Sequence, residues 1–553
     1  MIPHSDYDAI VVGAGFAGIY QLYRLRELKF RVLLLEAGQD VGGTWHWNRY
    51  PGASSDVHSF TYRYSWDKEL LQTYPWKNHY LSQPEVQAYL SHVVDKYDLR
   101  KYIRFNTLFT GAAYDEGENA WTVQTVAGKS HTTHFLLTAL GALNSKNYPE
   151  IKNFDAFEGE LYHTAAWPDQ YDFRNKRVGI VGNGSTGSQL LVEVAKEAKH
   201  VTSFQRNAQW NVPNGNRPVT EVERAEINAN YDEIWNNVRN SSVAFGFTES
   251  TIPTYSVDDE ERQRRFQEAW DQGNGFRFMF GVFSDTTTDR KANNAACDFI
   301  KSKIIEIVKD PETRRRLIPD EPYARRPICN NGYYETFNRE NVSLVSLKET
   351  SFAELTPKGA KTTDGVEHDL DALIFATGFD AVTGSYSRLD IRGRAGQTLK
   401  EHWAKEATSY LGFSVSSFPN LFLISGPHHP FTNAPPQIEV QVDFISDLIA
   451  YVGISGTVEA AADAEKQFSD LSNKIVEGSL FHEPKGWVFG ENVEGKKHST
   501  LFWFGGLKAY RDHLSDVIAV CTVLIFCGPQ VSHICGSHGN HLSRANSDVL
   551  MPN

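Results

Sequence analysis

The sequence predicts an α/β fold, because two segments repeat the order of strand, glycine-rich turn, helix and strand. In the first, residues 7–12 form a short apolar strand, residues 15–28 alternate apolar and polar residues at helical spacing, and residues 31–36 form a second apolar strand. The second repeat begins with the strand at residues 176–181 and ends with the strand at residues 200–205. This order is typical of a Rossmann unit. We therefore predict two Rossmann-like dinucleotide-binding domains.

A mostly helical insert follows the second repeat. Charged and polar helical stretches dominate from about residue 219 to residue 322, with Asp258 to Asp271 and Asn294 to Lys309 as examples. After this insert, residues 371–380 form another apolar strand that ends in a glycine turn. Alternating strands and helices favour a parallel sheet, so this strand is predicted to close the second nucleotide domain.

Composition narrows the class of protein. The chain of 553 residues has a formal net charge of −13, which argues against a broad surface for nucleic acid or anionic membrane. Its five cysteines include no C-x-x-C pair, which fits a reducing compartment, and no metal-ligand cluster is visible. No basic and apolar leader precedes the first strand, and the apolar run Val517 to Cys527 is too short to span a bilayer. We expect a cytoplasmic protein.

The first glycine-rich turn predicts a dinucleotide site. Gly13 permits the tight turn, Gly15 lets the backbone approach a pyrophosphate, and Gly18 lets the helix pack closely on the strand, with Phe16 inside the motif. Glu36 ends the second strand, where an acid that binds the ribose belongs. The alternative is a turn that binds nothing, but Glu36 favours a nucleotide. An N-terminal site of this kind usually holds FAD.

The second glycine-rich turn predicts a different nucleotide. It contains Gly182, Gly184, Ser185, Thr186 and Gly187. No acid ends the following strand, where Arg206 stands instead. A carboxylate there would repel a 2′-phosphate, whereas an arginine attracts one. The second site is therefore expected to bind NADPH rather than NADH, unless Arg206 is merely a surface residue.

The linker between the two turns carries the most specific motif. Residues 157–168 read F-x-G-x-x-x-H-x-x-x-W-P, with Phe157, Gly159, His163 and Trp167 at the defining positions. Together with the twin turns, this motif resembles the type I Baeyer–Villiger monooxygenases, which are class B flavoprotein monooxygenases. Flavin-containing monooxygenases and N-hydroxylases share the twin turns, but the W-P ending looks like the Baeyer–Villiger version.

Further blocks extend the resemblance from about Asp8 to Asp516. One begins with Gly43, Thr44 and Trp45 and is followed by Asp56. The resemblance implies that all four contribute to FAD binding.

The Arg325-Arg326-Pro327 block resembles the family element in which an arginine beside the flavin stabilises its peroxide. By this match Arg326 is the active-site cation, Arg325 contacts the NADP 2′-phosphate, and Asp56 pairs with Arg326. A fixed guanidinium can hold an anion without losing its own proton, and a buried arginine needs a carboxylate. The alternative is that Arg326 and Asp56 form a purely structural ion pair.

The resemblance assigns two further roles. Trp487 matches a tryptophan on the nicotinamide side of the active site, although a core role is the alternative. Phe157, Gly159, His163 and Trp167 lie between the nucleotide domains. This position suits a hinge whose hydrogen bonds change as NADP shifts, rather than direct proton transfer by His163.

The predicted domains follow this assignment in chain order. They are the first part of the FAD-binding domain (1–150), the first part of the NADP-binding domain with the fingerprint linker 151–170 (151–218), the helical insert (219–322), the second part of the NADP-binding domain (323–385), the second part of the FAD-binding domain (386–516) and an atypical C-terminal tail (517–553).

The resemblance implies an NADPH- and O2-dependent enzyme that converts a ketone to an ester or lactone through a C4a-peroxyflavin. Its partners would be a small ketone and O2. Three alternatives remain open: oxidation of sulfur or nitrogen, an uncoupled NADPH oxidase, and a non-catalytic nucleotide-binding protein. A disulfide reductase is disfavoured by the missing C-x-x-C pair. The sequence identifies neither the ketone nor the oligomeric state.

Overall fold

The computed structural model describes residues 5–493, 495–525 and 533–534. Residues 5–150 form nine strands and four α-helices. The strands are β1 (Tyr7–Val12), β2 (Val32–Leu35), β3 (Ser54–His58), β4 (Tyr80–Ser82), β5 (Ile103–Arg104), β6 (Phe109–Asp115), β7 (Ala120–Thr125), β8 (Ser130–Thr138) and β9 (Ser145–Lys146). The helices are α1 (Phe16–Glu27), α2 (Thr44–Trp47), α3 (Lys68–Thr73) and α4 (Gln83–Lys96).

The second repeat and the insert follow in the predicted order. Residues 151–218 contain β10 (Glu160–His163), β11 (Arg177–Val181), α5 (Ser185–Glu197), β12 (His200–Gln205) and β13 (Asn211–Val212). The insert contains α6 (Glu221–Ala229), α7 (Tyr231–Asn240), α8 (Asp259–Gln272), α9 (Gly275–Phe280), α10 (Arg290–Ile307) and α11 (Pro311–Leu317). The prediction of a mostly helical insert is confirmed.

The remaining elements lie between residue 328 and residue 534. The strands are β14 (Ile328–Cys329), β15 (Val342–Ser346), β16 (Phe352–Thr356), β17 (Gly359–Thr362), β18 (Glu367–Asp369), β19 (Ala372–Phe375), β20 (Phe379–Asp380), β21 (Asp390–Arg392), β22 (Leu421–Leu423), β23 (His429–Pro430), β24 (Glu459–Ala460), β25 (Phe502–Trp503) and β26 (His533–Ile534). The helices are α12 (Tyr333–Thr336), α13 (Thr383–Tyr386), α14 (Leu399–His402), α15 (Ala434–Val452), α16 (Ala462–Glu477) and α17 (Gly506–Ile525).

The first sheet combines early and late parts of the chain. Its strand order is β21-β6-β7-β8-β1-β2-β5, and β22 also pairs with β8. Its centre is parallel, with Ile10 of β1 aligned to Leu33 on one side and to Leu136 on the other. All three side chains are buried. Because β21 and β22 join strands from the first 150 residues, the chain returns to its first domain after the second.

The second sheet is a parallel Rossmann sheet with the strand order β10-β19-β11-β12-β15. The motif strand β10 lies at one edge, where His163 is aligned with Phe375 of β19. Both sheets support the predicted α/β class with two Rossmann-like domains, because each places a glycine-rich turn at the carboxyl end of a central strand.

Two observations concern the late part of the chain, near the predicted domain boundaries. Phe481, Phe489 and Phe502, which the sequence assigns to the first domain, pack in a core that also contains Tyr50 and Ala53 and residues of the second domain and the insert. Helix α17 continues through the boundary predicted after Asp516, so the first residues of the predicted tail are helical. Residues 526–532 and 535–553 of that tail lie outside the described residues. No helix in the described part of the chain is both long and apolar enough to cross a membrane.

Candidate active site at the meeting of two nucleotide domains

The first glycine-rich turn leaves room only for glycine. Gly13 has a φ of +100°, and a Cβ at this position would lie 2.5 Å from the carbonyl oxygen of Ala139. A Cβ at Gly18 would lie 1.7 Å from the carbonyl oxygen of Gly13. Helix α1 begins at Phe16, directly after Gly15. The free N–H groups at this helix start form an anion site that fits the pyrophosphate of FAD.

Glu36 holds the same turn in place. One carboxylate oxygen accepts a hydrogen bond from the N–H of Ala14 at 2.6 Å, and the other accepts one from the N–H of Gly38 at 2.7 Å. Burial raises the pKa of Glu36, and these two N–H groups oppose the rise. The acid therefore lies at the end of β2, where the sequence predicts a ribose contact.

The block that begins at Gly43 covers the turn from the other side. A Cβ at Gly43 would lie 2.8 Å from the Cα of Gly15, so the two backbones touch. Thr44 begins α2, and Trp45 donates from its indole N–H to the hydroxyl of Tyr62 at 3.1 Å. The rings of Phe16 and Tyr62 meet edge to face at 5.4 Å. Residues predicted to bind FAD are thus gathered around one turn.

An ion pair joins the two nucleotide domains. Arg326 donates from Nη2 to Oδ2 of Asp56 at 2.6 Å and from Nη1 to Oγ of Ser185 at 2.9 Å. Asp56 lies on β3, in the first domain, whereas Ser185 is the first residue of α5. The side chain of Asp56 is 6% exposed and that of Arg326 is 29% exposed. The carboxylate of Asp56 is therefore buried, whereas part of the Arg326 guanidinium remains accessible.

Burial and charge act in opposite directions on this pair. Burial raises the pKa of Asp56, and the charge and hydrogen bond of Arg326 oppose the rise. Burial alone would lower the pKa of Arg326, but Asp56 raises it above its ordinary value. Arg326 consequently stays charged across the range of pH in which proteins are folded.

The structure adds a residue that sequence reasoning missed. Asn274 donates from Nδ2 to the carbonyl oxygen of Asp56 at 2.8 Å, and its Oδ1 accepts from the N–H of Phe276 at 3.0 Å. The ring of Phe276 lies 5.4 Å from the guanidinium carbon of Arg326. Asn274 thus connects β3 with α9 beside the ion pair. An asparagine at a helix start signals a cap, but this signal does not identify the strand that the cap contacts.

The second glycine-rich turn repeats the geometry of the first. Gly182 has a φ of +104°, and a Cβ at Gly187 would lie 2.0 Å from the carbonyl oxygen of Gly182. A Cβ at Gly184 would meet open space, which leaves the approach to α5 free. The hydroxyl of Tyr50, in the first domain, donates to Oε1 of Gln189 on α5 at 2.8 Å, so this helix contacts the first domain. This turn fits a second dinucleotide.

The candidate phosphate contacts lie around this turn. Arg206 is exposed directly after β12. Arg325 lines a narrow cleft with Arg326, but it also forms an ion pair with Glu321, a partner that the sequence analysis did not foresee. A Cβ at Gly486 would lie 3.7 Å from Nη1 of Arg325. This contact places the loop that carries Trp487 beside Arg325.

Trp487 is half-buried and meets the ring of Phe502 edge to face at 5.6 Å. Its indole therefore packs in part against the core of the second domain. The loop that carries Trp487 lies beside Arg325.

His163 lies in the linker and not beside the ion pair. Its Nδ1 accepts from the N–H of Ala165 at 3.1 Å, and its Nε2 lies 3.4 Å from the carbonyl oxygen of Asn147. Burial lowers the pKa of His163 to about 4, so the ring is neutral. In the described chain, no hydrogen bond joins His163 to Arg326 or Asp56.

The other motif residues also have structural contacts. A Cβ at Gly159 would lie 2.4 Å from the ring of Phe157. The carbonyl oxygen of Trp167 accepts from Nη2 of Arg49, in the first domain, at 3.2 Å. The motif therefore contacts the first domain through Trp167 as well as through His163.

The fold and site define a class. Two dinucleotide sites, which fit FAD and NADPH, face one charged arginine at the junction of their domains, as in a flavoprotein that takes electrons from a nicotinamide nucleotide. Within the described residues, no group of three histidine, cysteine or acidic side chains is suited to a metal ion.

Comparisons with known proteins identify the family. The profile of flavin-binding monooxygenase-like proteins matches residues 8–217. The chain is 48% identical to a Baeyer–Villiger monooxygenase of Pseudooceanicola batsensis and 48% identical to a phenazine N-monooxygenase of Lysobacter antibioticus. Each match covers 93% of this chain and 95% of the relative. The crystal structure of cyclohexanone monooxygenase from Rhodococcus sp. Phi1 bound to NADP+ superimposes with a TM-score of 0.92 at 50% identity, over 93% of this chain and 97% of that one.

The chain belongs to the flavin-binding monooxygenase family and, within it, to the FAD- and NADPH-dependent Baeyer–Villiger monooxygenases. The resemblance inferred from the linker motif and the twin turns is confirmed. So are the predicted enzyme class and the two predicted cofactors.

Proposed function

We propose that this enzyme oxidises a cyclic ketone to a lactone, with Arg326 as the active-site cation and Asp56 as its counter-ion. The observation that carries this assignment is the 2.6 Å ion pair between domains, in which the carboxylate is buried and the guanidinium stays accessible. Bound FAD, reduced by NADPH, supplies the activation of O2. The protein supplies orientation, charge and exclusion of water.

Arg326 supports the reaction through a fixed positive charge. Asp56 and Ser185 hold two of its nitrogens, so the group does not have to reorganise when negative charge develops on oxygen beside it. Electrostatic groups that are oriented in advance in a dry site contribute strongly to catalysis. Because the pKa of Arg326 is raised by Asp56, the arginine holds an oxyanion and does not protonate it.

We assign NADPH binding to the second turn and to three side chains around it. Ser185 and Thr186 begin α5 and would contact the pyrophosphate, whereas Arg206 and Arg325 supply positive charge for the 2′-phosphate. Glu321 competes for Arg325, so Arg206 is the stronger candidate. Trp487 lies on the loop beside Arg325, which supports a contact on the nicotinamide side.

The motif residues support domain movement. His163 and Trp167 bond to backbone and side-chain groups of the first domain, while β10 pairs with the sheet of the second. Rearrangement of these few hydrogen bonds would let the domains shift as NADP moves. The cysteine usage and the need for NADPH support a cytoplasmic location.

Two substrate classes compete. The similarity to cyclohexanone monooxygenase structures supports a cyclic ketone. The phenazine N-monooxygenase, which is equally similar in sequence, supports oxidation of an aromatic nitrogen as a second candidate. The rings of Phe245 and Phe276 stack at 4.0 Å, and Phe276 lies beside Arg326, so a buried aromatic pair adjoins the candidate catalytic cation.

Product analysis separates these classes. The FAD-loaded enzyme would be given NADPH and O2 with cyclohexanone or phenazine, and NADPH consumption, organic product and hydrogen peroxide would be measured together. We expect about one lactone formed per NADPH consumed with the ketone. Formation of phenazine N-oxide without lactone would replace the proposal by the second candidate. Peroxide without organic product from either substrate would contradict both.

A further inference from the structure

A second pair of arginines lies away from the active site. Arg63 is 1% exposed and donates from Nε to the carbonyl oxygen of Ser59 at 2.8 Å. Arg224, on α6, is half-buried and donates from Nη2 to the carbonyl oxygen of Tyr74 at 2.7 Å. Both guanidinium groups lie over the ring of Trp76. The guanidinium carbon is 5.7 Å from the ring centroid in Arg63 and 4.4 Å from it in Arg224. The insert and the first domain therefore meet at two positive charges.

These charges lack a counter-ion. Within the described residues, no carboxylate oxygen lies within the 4.0 Å ion-pair distance of either Arg63 or Arg224. Burial lowers the pKa of Arg224, and the positive charge of Arg63 lowers it further. Contacts with the faces of Trp76 and Tyr89 offset part of the cost of burying Arg63, but they supply no net negative charge.

Unsatisfied donors surround the same place. Nη1 of Arg63 and Nε1 of Trp235 are buried without a hydrogen-bond partner. Nε1 of Trp76 and the hydroxyl of Tyr231 also lack a hydrogen bond of good geometry, although the two groups lie close enough to interact with each other. Tyr231 and Trp235 are four residues apart on α7 and so share one face of that helix. The charges of both arginines act on the Tyr231 hydroxyl. Buried donors are almost always paired, so this concentration of them needs an acceptor.

We propose that Arg63, Arg224, Trp76 and Tyr231 form a binding site for a small inorganic anion of halide size. The anion accepts hydrogen bonds from these donors and neutralises the two guanidinium groups. A water molecule would satisfy the hydrogen bonds but not the charge. Arg224 at the rim provides the entry, because the other three side chains are at most 6% exposed.

The anion would have a structural effect. Arg63 and Trp76 belong to the first domain, whereas Arg224 and Tyr231 belong to the helical insert. An anion between them stabilises the docking of α6 and α7 on the first domain. Because a ligand that binds only the folded state raises stability, its effect is measurable without any assay of oxidation.

Thermal unfolding tests the proposal on the FAD-loaded enzyme. Melting would be compared in sodium chloride and in sodium gluconate at equal ionic strength. We expect chloride to raise Tm by about 2–5 °C, as for a ligand in modest excess over its Kd. Arg63→Met should remove this difference. Arg217→Met, which removes an exposed arginine that already pairs with Glu223, should keep it. Equal Tm in both salts, or a chloride effect retained in Arg63→Met, would overturn the proposal.

Bromide gives an independent test if Arg63→Met does not fold. Crystals of the unaltered enzyme would be soaked in sodium bromide, and anomalous scattering would locate the ion. The expected result is a peak within hydrogen-bonding distance of Nη1 of Arg63 and the hydroxyl of Tyr231. Water density at this place without an anomalous peak would overturn the proposal.

Discussion

The Nη1 atom of Arg326 lies 2.9 Å from the Oγ atom of Ser185, so the candidate catalytic cation touches the first residue of α5. The same guanidinium holds Asp56 of the FAD domain through its other terminal nitrogen. One side chain therefore contacts both nucleotide domains. Under the proposed assignment of NADP to the second glycine-rich turn, a shift of α5 on binding would move the guanidinium of Arg326 with it.

Loss of the Ser185 hydroxyl should weaken the reaction without abolishing it. Ser185→Ala removes one of the two side-chain hydrogen bonds that orient Arg326, and a hydrogen bond to a charged group is worth about 1.5–3 kcal/mol. We expect kcat with a ketone to fall roughly 10-fold and peroxide release to rise. Ser188→Ala is the control, because Ser188 lies one turn further along α5 and its hydroxyl donates to the backbone carbonyl of Ser185, so its loss leaves the bond between Arg326 and Oγ of Ser185 in place. Equal effects of both changes would contradict an orienting role for Ser185.

Removal of the cation itself should separate oxidation of the substrate from reduction of the flavin. Arg326→Met eliminates the charge that holds negative oxygen, so product formation should fall by about two to three orders of magnitude. Anaerobic reduction of the flavin by NADPH should continue, because the nucleotide turns are intact. Arg326→Lys should rescue little, since a single ammonium group does not reproduce two guanidinium hydrogen bonds. Stopped-flow absorbance and product analysis measure the two steps. Full product formation in Arg326→Met would exclude the proposed role.

The order of helices and strands can be predicted from local sequence. The contacts that bring the site residues together cannot. Gly13 and Gly182 adopt positive φ in turns that their neighbours already indicate, and the periodicity of the insert is local as well. Asp56 and Arg326 are separated by 270 residues, and only the resemblance to a family brought them together. No local pattern shows that Asn274 supports Asp56, because that contact depends on tertiary packing. Glu321 and Arg325, in contrast, are only four residues apart, so their ion pair is a local contact that the sequence analysis missed.

The same limit applies to domain boundaries and to the arginine pair at Trp76. Phe489 and Phe502 are apolar residues that suit any core, and only the packing shows that they join the one that contains residues of both nucleotide domains and the insert. Arginine side chains are mostly exposed, so the sequence gives no reason to expect that Arg63 is only 1% exposed.

Cofactor preference should depend on Arg206. Its position at the end of β12 is suited to the 2′-phosphate, and a charge-assisted contact of this kind is worth about 1.5–3 kcal/mol. Arg206→Gln is expected to raise KM for NADPH by roughly 10- to 100-fold, with little change in KM for NADH. Arg174→Gln is the control, because Arg174 is an exposed arginine of the same domain that pairs with Asp172. An equal rise in KM for both nucleotides would mean that Arg206 does not read the 2′-phosphate.

Acid stability should depend in part on His163. Burial lowers the pKa of this histidine to about 4, whereas an exposed histidine titrates near 6.5. Between these values the unfolded chain takes up a proton and the folded chain does not, so the folded state loses stability as pH falls from 6.5 to 4. The full loss is about 3 kcal/mol for this shift.

His163→Gln removes this proton uptake and keeps a polar side chain in the linker. Relative to the unaltered enzyme, the variant should gain unfolding free energy as pH falls through that window and gain none between pH 7.5 and 8.5. Denaturant unfolding at each pH measures the difference. His92→Gln, which changes an exposed histidine on α4, should show no comparable gain. A constant offset between His163→Gln and the unaltered enzyme at every pH would show that the imidazole is not held neutral in the folded linker.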